Sequence, residues 1–137
     1  MSDTISILTV GLDFDWTQAH RGDKFDVPKI RAEVLKGLDD LKTVPGLESD
    51  VYYVVPDKEH LFDELTAKLR EGHGGKPWSG IIIGWGVRGV PESTPLFEAL
   101  VNLIKETSPT SKFLFSGDRG IKFDTVERNF PHLKMPA

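Results

Sequence analysis

The chain has 137 residues, 39% of them hydrophobic and 28% charged, with a formal net charge of −4 and a pI near 5.5. Those values describe one globular domain able to bury roughly two-thirds of its unfolded surface. They exclude the basic stripe of a nucleic-acid binder, an apolar run long enough to span a bilayer and, because there is no cysteine, every disulfide, thiolate zinc site or cysteine nucleophile.

Met1-Ser2-Asp3-Thr4 lacks the basic and apolar regions of a signal peptide, so the expected location is cytoplasmic, with no membrane and no nucleic acid as partner. No internal repeat or low-complexity tract interrupts the chain. Ile5 to Leu12 is apolar and β-rich and predicts a first strand. The polar connection from Asp13 to Asp26 reads as a loop, far longer than the about 2–6 residues usual between a strand and a helix. Asp26-Val27-Pro28 then opens a helix with Ile30, Val34, Leu38 and Leu41 on one face and Leu35 beside them. Pro28 suits the first turn, and Pro45-Gly46 ends the helix.

Val51 to Val55 predicts a second strand. Asp57 is the expected N-cap of a helix striped by Leu61, Leu65 and Leu69, which Gly72 to Gly75 stops. Ile81-Ile82-Ile83 has the unbroken β-branched character of a strand buried on both faces. Thr94 or Ser93 caps a further helix with Leu96, Phe97, Leu100, Val101 and Ile104 facing inward. Phe113 to Phe115 is a fourth strand, and a short helix from about Asp124 carries Val126 and Phe130 to the core.

Alternation of this kind predicts an α/β fold: a three-layer, doubly wound parallel sheet, flavodoxin-like or Rossmann-like, in the order 2-1-3-4. Four strands are expected, with room for a fifth at an edge or for a homodimer contact there. In such sheets ligands bind beyond the carboxyl ends of the strands, where the winding reverses. That point lies between the first and third strands.

The residues gathered there are chemically dense. Asp13, Asp15 and His20 are candidate catalytic groups, as is Asp118 in the loop after the fourth strand. Thr17, Gly84, Trp85, Gly86, Arg88 and Ser116 are candidate ligand-binding residues. Arg88 beside glycine amides would seat a small anionic ligand, or would instead form an ion pair with Asp13 or Asp15. Equally, Asp15 and Thr17 could serve only as local caps with Trp16 packed over the sheet edge. Gly84 is expected to be sterically strict, more so than Gly75.

Two motifs suggest particular chemistry. Asp13-x-Asp15-x-Thr17 after an apolar strand matches the nucleophile motif of haloacid-dehalogenase-type phosphatases, but the later acidic pair is missing, so magnesium is not expected to be required. Gly84-x-Gly86-x-x-Gly89 spells the dinucleotide fingerprint but follows the third strand rather than the first. The histidines His20, His60, His73 and His132 show no metal-ligand spacing. No cofactor is specified.

The chain also resembles a group of small microbial α/β proteins with no assigned activity. The likeness rests on Gly11-Leu12-Asp13-x-Asp15, Ile82-Ile83-Gly84-x-Gly86-Val87-Arg88 and Leu96-Phe97-Glu98-x-Leu100-x-Asn102. It covers most of the chain and implies a Rossmann-like or flavodoxin-like fold. Ser116-Gly117 departs from the Asn-Thr pair expected after the fourth strand. The sequence thus points to a small-molecule site, binding or catalytic, at the carboxyl edge. Its rival is an interaction module that docks a partner through Trp16, Trp85 or the helix around Leu100.

Overall fold

The structure is a computed structural model that describes residues 4–117, 120–121 and 123–136. Strands β1 (Ile5–Leu12), β2 (Leu47–Val54), β3 (Gly80–Ile83) and β4 (Lys112–Phe115) form one all-parallel sheet in the order β2-β1-β3-β4. Register runs from Ile5 opposite Leu47 to Leu12 opposite Val54, and from Ile7 opposite Gly80 to Val10 opposite Ile83. Every residue of β3 is buried, as expected of a central strand covered on both faces.

Alternation along the strands separates two cores. Leu8, Val10, Leu12, Ile81 and Ile83 pack against α3 (Leu61–Glu71) and α4 (Thr94–Thr107) through Leu61, Leu65, Leu69, Leu100 and Ile104. Ile7, Ile82 and Leu114 pack on the other face against α2 (Val27–Lys42) and α5 (Phe123–Glu127) through Leu38, Leu41 and Val126. Each fully buried aliphatic side chain contributes about 1.5–3 kcal/mol over an exposed one. The two layers of helices about one sheet are the three-layer arrangement that alternation predicts.

The predicted start of α2 is also found. Asp26 accepts from the Lys29 amide at 3.2 Å and Pro28 lies in the first turn. Other expectations are corrected. β2 begins at Leu47, four residues before Val51, because its first half is an edge with exposed polar positions and lacks an apolar run. The N-cap of α3 is His60 in the left-handed region (φ 65°), not Asp57. Ser93 occupies the N-cap of α4 but makes no capping bond.

The largest correction concerns residues 13–26. Phe14–Arg21 is a helix, α1, so the presumed loop is mostly regular structure. Asp13 is its N-cap and accepts from the Trp16 amide at 2.9 Å, while Thr17 donates to the Asp13 carbonyl at 2.6 Å. Asp15 in the first turn and Arg21 in the last suit the helix dipole. No residue of α1 is fully buried, and so no apolar stripe marks it in the sequence.

Candidate functional site

The face of the sheet shared by Ile7, Ile82 and Leu114 loses bulk toward its carboxyl edge. β1 continues with Thr9 and Gly11, β3 with Gly84 and β4 with Ser116. Large side chains surround this gap: Ile30 and Val34 from α2 and Phe25 before it stand opposite, and Val51 and Tyr53 flank it on β2, in register with Thr9 and Gly11. The mismatch leaves a cavity of about 100 Å³ between the sheet and α2, closed at its sides by Trp85, Val90 and Ile121. A Cβ built on Gly11 or Gly117 would meet nothing within 4 Å, so both glycines face open space. Gly37 does the reverse: a Cβ there would overlap the Ile121 carbonyl, and its absence lets α2 close on the segment that walls the cavity.

Most of the lining is apolar, and its buried polar groups are few. Thr9 and Ser116 are each 1% exposed, and their hydroxyl oxygens have no hydrogen-bond partner among the described residues. Leaving such a group unsatisfied costs about 1–3 kcal/mol, so natural proteins seldom keep one without a use. The cavity opens at the switch point between β1 and β3, where open α/β sheets take their ligands.

Arg21 enters from the end of α1. Its guanidinium donates to the Gly86 carbonyl at 3.0 Å and to the Ser93 hydroxyl at 2.8 Å, and lies 5.2 Å from the Trp16 ring. Ser93 donates in turn to the Gly86 carbonyl at 3.3 Å. The uncapped Ser93 therefore serves this tie between α1 and the loop after β3. A second, more open hollow of about 420 Å³, lined by Trp16, His20, Lys24, Pro91 and Glu92, shares Arg21, Phe25 and Val90 with the first. The Trp16 indole N–H is buried there without a partner among the described residues, and its ring stacks on His20 at 4.3 Å.

The structure thus divides the expected residues. Thr17, Gly84, Trp85, Gly86 and Ser116 line the inner cavity. His20 lines the outer hollow. Asp13 is used as a cap and Asp15 is exposed on α1, and neither lines the inner cavity or the outer hollow. Asp118 lies outside the described residues. Arg88 is placed elsewhere: its guanidinium donates to the Ser116 carbonyl and sits 5.1 Å from the Trp85 ring and 5.3 Å from the Phe115 ring. No ion pair joins it to Asp13 or Asp15 among the described residues. Sequence reasoning missed Thr9, Gly11, Phe25 and Tyr53, and left Arg21 unassigned.

Gly84 is also corrected. Its backbone is extended (φ −68°, ψ 156°), and a Cβ would touch the Val10 carbonyl at 3.4 Å and Gly11 Cα at 3.5 Å, ordinary contacts. Gly75, at φ 78°, is the conformationally constrained one. Gly84→Ala is therefore expected to shift unfolding in urea by less than about 1 kcal/mol. A loss above about 2 kcal/mol would show that this turn has no room for a side chain.

Two adjacent tyrosines report on opposite faces of β2. Burial pushes the Tyr53 phenol up, nearby Arg31 acts against this and Asp13 adds to it. Tyr52 is pushed up to about 12 by burial, with the Glu64 carboxylate and its hydrogen bond adding to the effect. The neutral phenols are thus favoured by folding. Their stabilisation is present below the ordinary value of about 10 and is lost as pH rises through the folded-state value. In an ultraviolet titration, Tyr52→Phe should remove the component near 12, and Glu64→Gln should move it downward. A wild-type curve at the ordinary tyrosine value would contradict this placement.

Compared with protein-family models, curated proteins and solved structures, the chain matches none. The site must be read from its own geometry. Among the described residues no group of three or more His, Asp or Glu side chains is placed to hold a metal ion, and no helix is long and apolar enough to cross a membrane.

Proposed function

We propose that this chain binds a small molecule in the cavity between the carboxyl edge of the sheet and α2. The ligand is compact and mainly apolar, branched or aromatic, and carries one or two polar atoms. The observation that carries this reading is the pair of fully buried hydroxyls of Thr9 and Ser116, without partners among the described residues, in a mainly apolar cavity. An apolar pocket with a few convergent polar groups is the usual form of a small-molecule site. Thr17 and Arg21 add polarity at the mouth.

Nothing observed favours phosphoryl transfer at Asp13 over binding, since Asp13 caps α1 and stands outside the cavity wall. A docking module is supported no better. The exposed large apolar residues Phe25, Phe62, Trp85, Phe115 and Met135 are each only 38–43% exposed, and Leu100 and Ile104 of α4 are already buried in the core. Trp85 and Phe115 lie near one another, each in ring contact with Arg88, and partial exposure of this size is normal for a globular surface.

The test is a thermal-shift series with neutral probes, 3-methylbutan-1-ol and benzyl alcohol among them. A molecule that binds only the folded chain raises its apparent stability with concentration. Saturable stabilisation is expected from branched or aromatic probes and not from glycerol. Equal responses to all three, or none, would overturn the reading.

A further inference from the structure

We propose that the natural ligand of this cavity is a small organic acid whose carboxylate meets the Arg21 guanidinium where the inner cavity joins the outer hollow. This rests on the reading of the inner cavity as a small-molecule site. Three observations lead to it. Arg21 lines both spaces, so a molecule seated among Ile30, Val34 and Tyr53 has this guanidinium at its outward end. Arg21 is also fixed, with two of its five N–H donors spent on the Gly86 carbonyl and the Ser93 hydroxyl. Finally, no ion pair neutralises it among the described residues, where five lysine–carboxylate contacts are present.

Charges removed from water are normally paired. Arg88 is also half-buried with no ion pair among the described residues, but of the two only Arg21 lines the inner cavity and the outer hollow. Arg21 is held by neutral acceptors only, which position it and leave its charge for a ligand. Its planar fork matches a carboxylate geometrically. The outer hollow adds Lys24, His20 and Glu92 to its lining. Glu92 opposes a second negative charge, which favours a monoanion over a phosphate ester. The apolar walls and the hydroxyls of Thr9 and Ser116 then hold the body of the acid and any oxygen it carries.

The experiment uses isosteric pairs, 3-methylbutanoate with 3-methylbutanamide and benzoate with benzamide, titrated calorimetrically at pH 7 into the wild-type chain, Gly11→Val and Arg21→Gln. In the wild type each acid is expected to bind at least about tenfold more tightly than its amide, the size of one well-placed charge-assisted contact. In Arg21→Gln the acid-to-amide ratio should fall to about one, whatever the change in absolute affinity. The wild-type ratio stands as a test even if Arg21→Gln folds poorly. Acid and amide binding equally well, with both abolished by Gly11→Val, would overturn the assignment of Arg21 and leave the cavity reading intact. Acid preference that survives in Arg21→Gln would overturn it too. Binding of neither member of either pair would overturn both.

Discussion

Gly11→Val is expected to leave the fold standing and to abolish ligand binding. Gly11 lies in the central strand β1 with its α-hydrogen toward the cavity, and a Cβ there meets nothing within 4 Å. Its φ is not in the left-handed region, so no conformational strain opposes a side chain. Valine is favoured in strands, and a strand-interior glycine costs roughly 0.5–1 kcal/mol relative to alanine. Unfolding in urea should therefore show stability equal to the wild type or up to about 1 kcal/mol higher. The valine methyls would project into a space of about 100 Å³, displacing the body of any ligand. Affinity should fall at least about a hundredfold, or about 2.7 kcal/mol. A stable variant that still binds would place the ligand elsewhere.

Thr9→Val combined with Ser116→Ala is expected to stabilise the free protein while weakening the complex. Each wild-type hydroxyl is buried with no partner among the described residues. Replacing an unpaired buried polar group by an apolar one of like shape removes a penalty of about 1–3 kcal/mol. Thr9→Val is nearly isosteric, and Ser116→Ala removes a single oxygen. The double variant should gain about 2 kcal/mol or more by chemical denaturation, with the m-value unchanged. The same change should cost roughly tenfold or more in affinity for a probe with a hydroxyl or carbonyl, and little for one without. Opposite signs for stability and binding are the signature of polar groups kept for a ligand. A double variant that is less stable than the wild type would instead give the hydroxyls a structural role.

Much of the architecture is legible in the sequence because burial writes a periodic pattern. The isoleucines of β3 and the Leu61, Leu65 and Leu69 stripe of α3 each announce their element and their facing. The four-strand order follows once the most apolar strand is set at the centre. Where nothing is fully buried the pattern fails. α1 buries no residue, so its eight residues read as a loop despite the Asp13 cap and the terminal Arg21. The polar first half of β2 fails in the same way.

The site was legible in position but only partly in composition. Topology alone places it between β1 and β3, and five of the expected binding residues line the cavity. The sequence offers both Arg21 and Arg88 near the switch point, and it is Arg21 that lines the cavity. Only the path of α1 decides which one reaches the cavity. Thr9 and Gly11 did leave a signal: they interrupt an apolar strand at alternate positions, on one face, at its carboxyl end. A small residue and a hydroxyl in that pattern mark a place where the core is left unfilled.

The most direct measurement is a ¹H–¹⁵N correlation spectrum of the labelled chain titrated with 3-methylbutanoate. The amides of Gly11, Thr17, Gly84, Gly86 and Gly117, which surround the inner cavity, should shift first and saturate together. Those of Gly74 and Gly75, in the loop leading into the amino end of β3, should stay fixed. Saturable shifts confined to that opposite edge, or spread over the outer face of α3, would contradict a ligand site at the carboxyl edge.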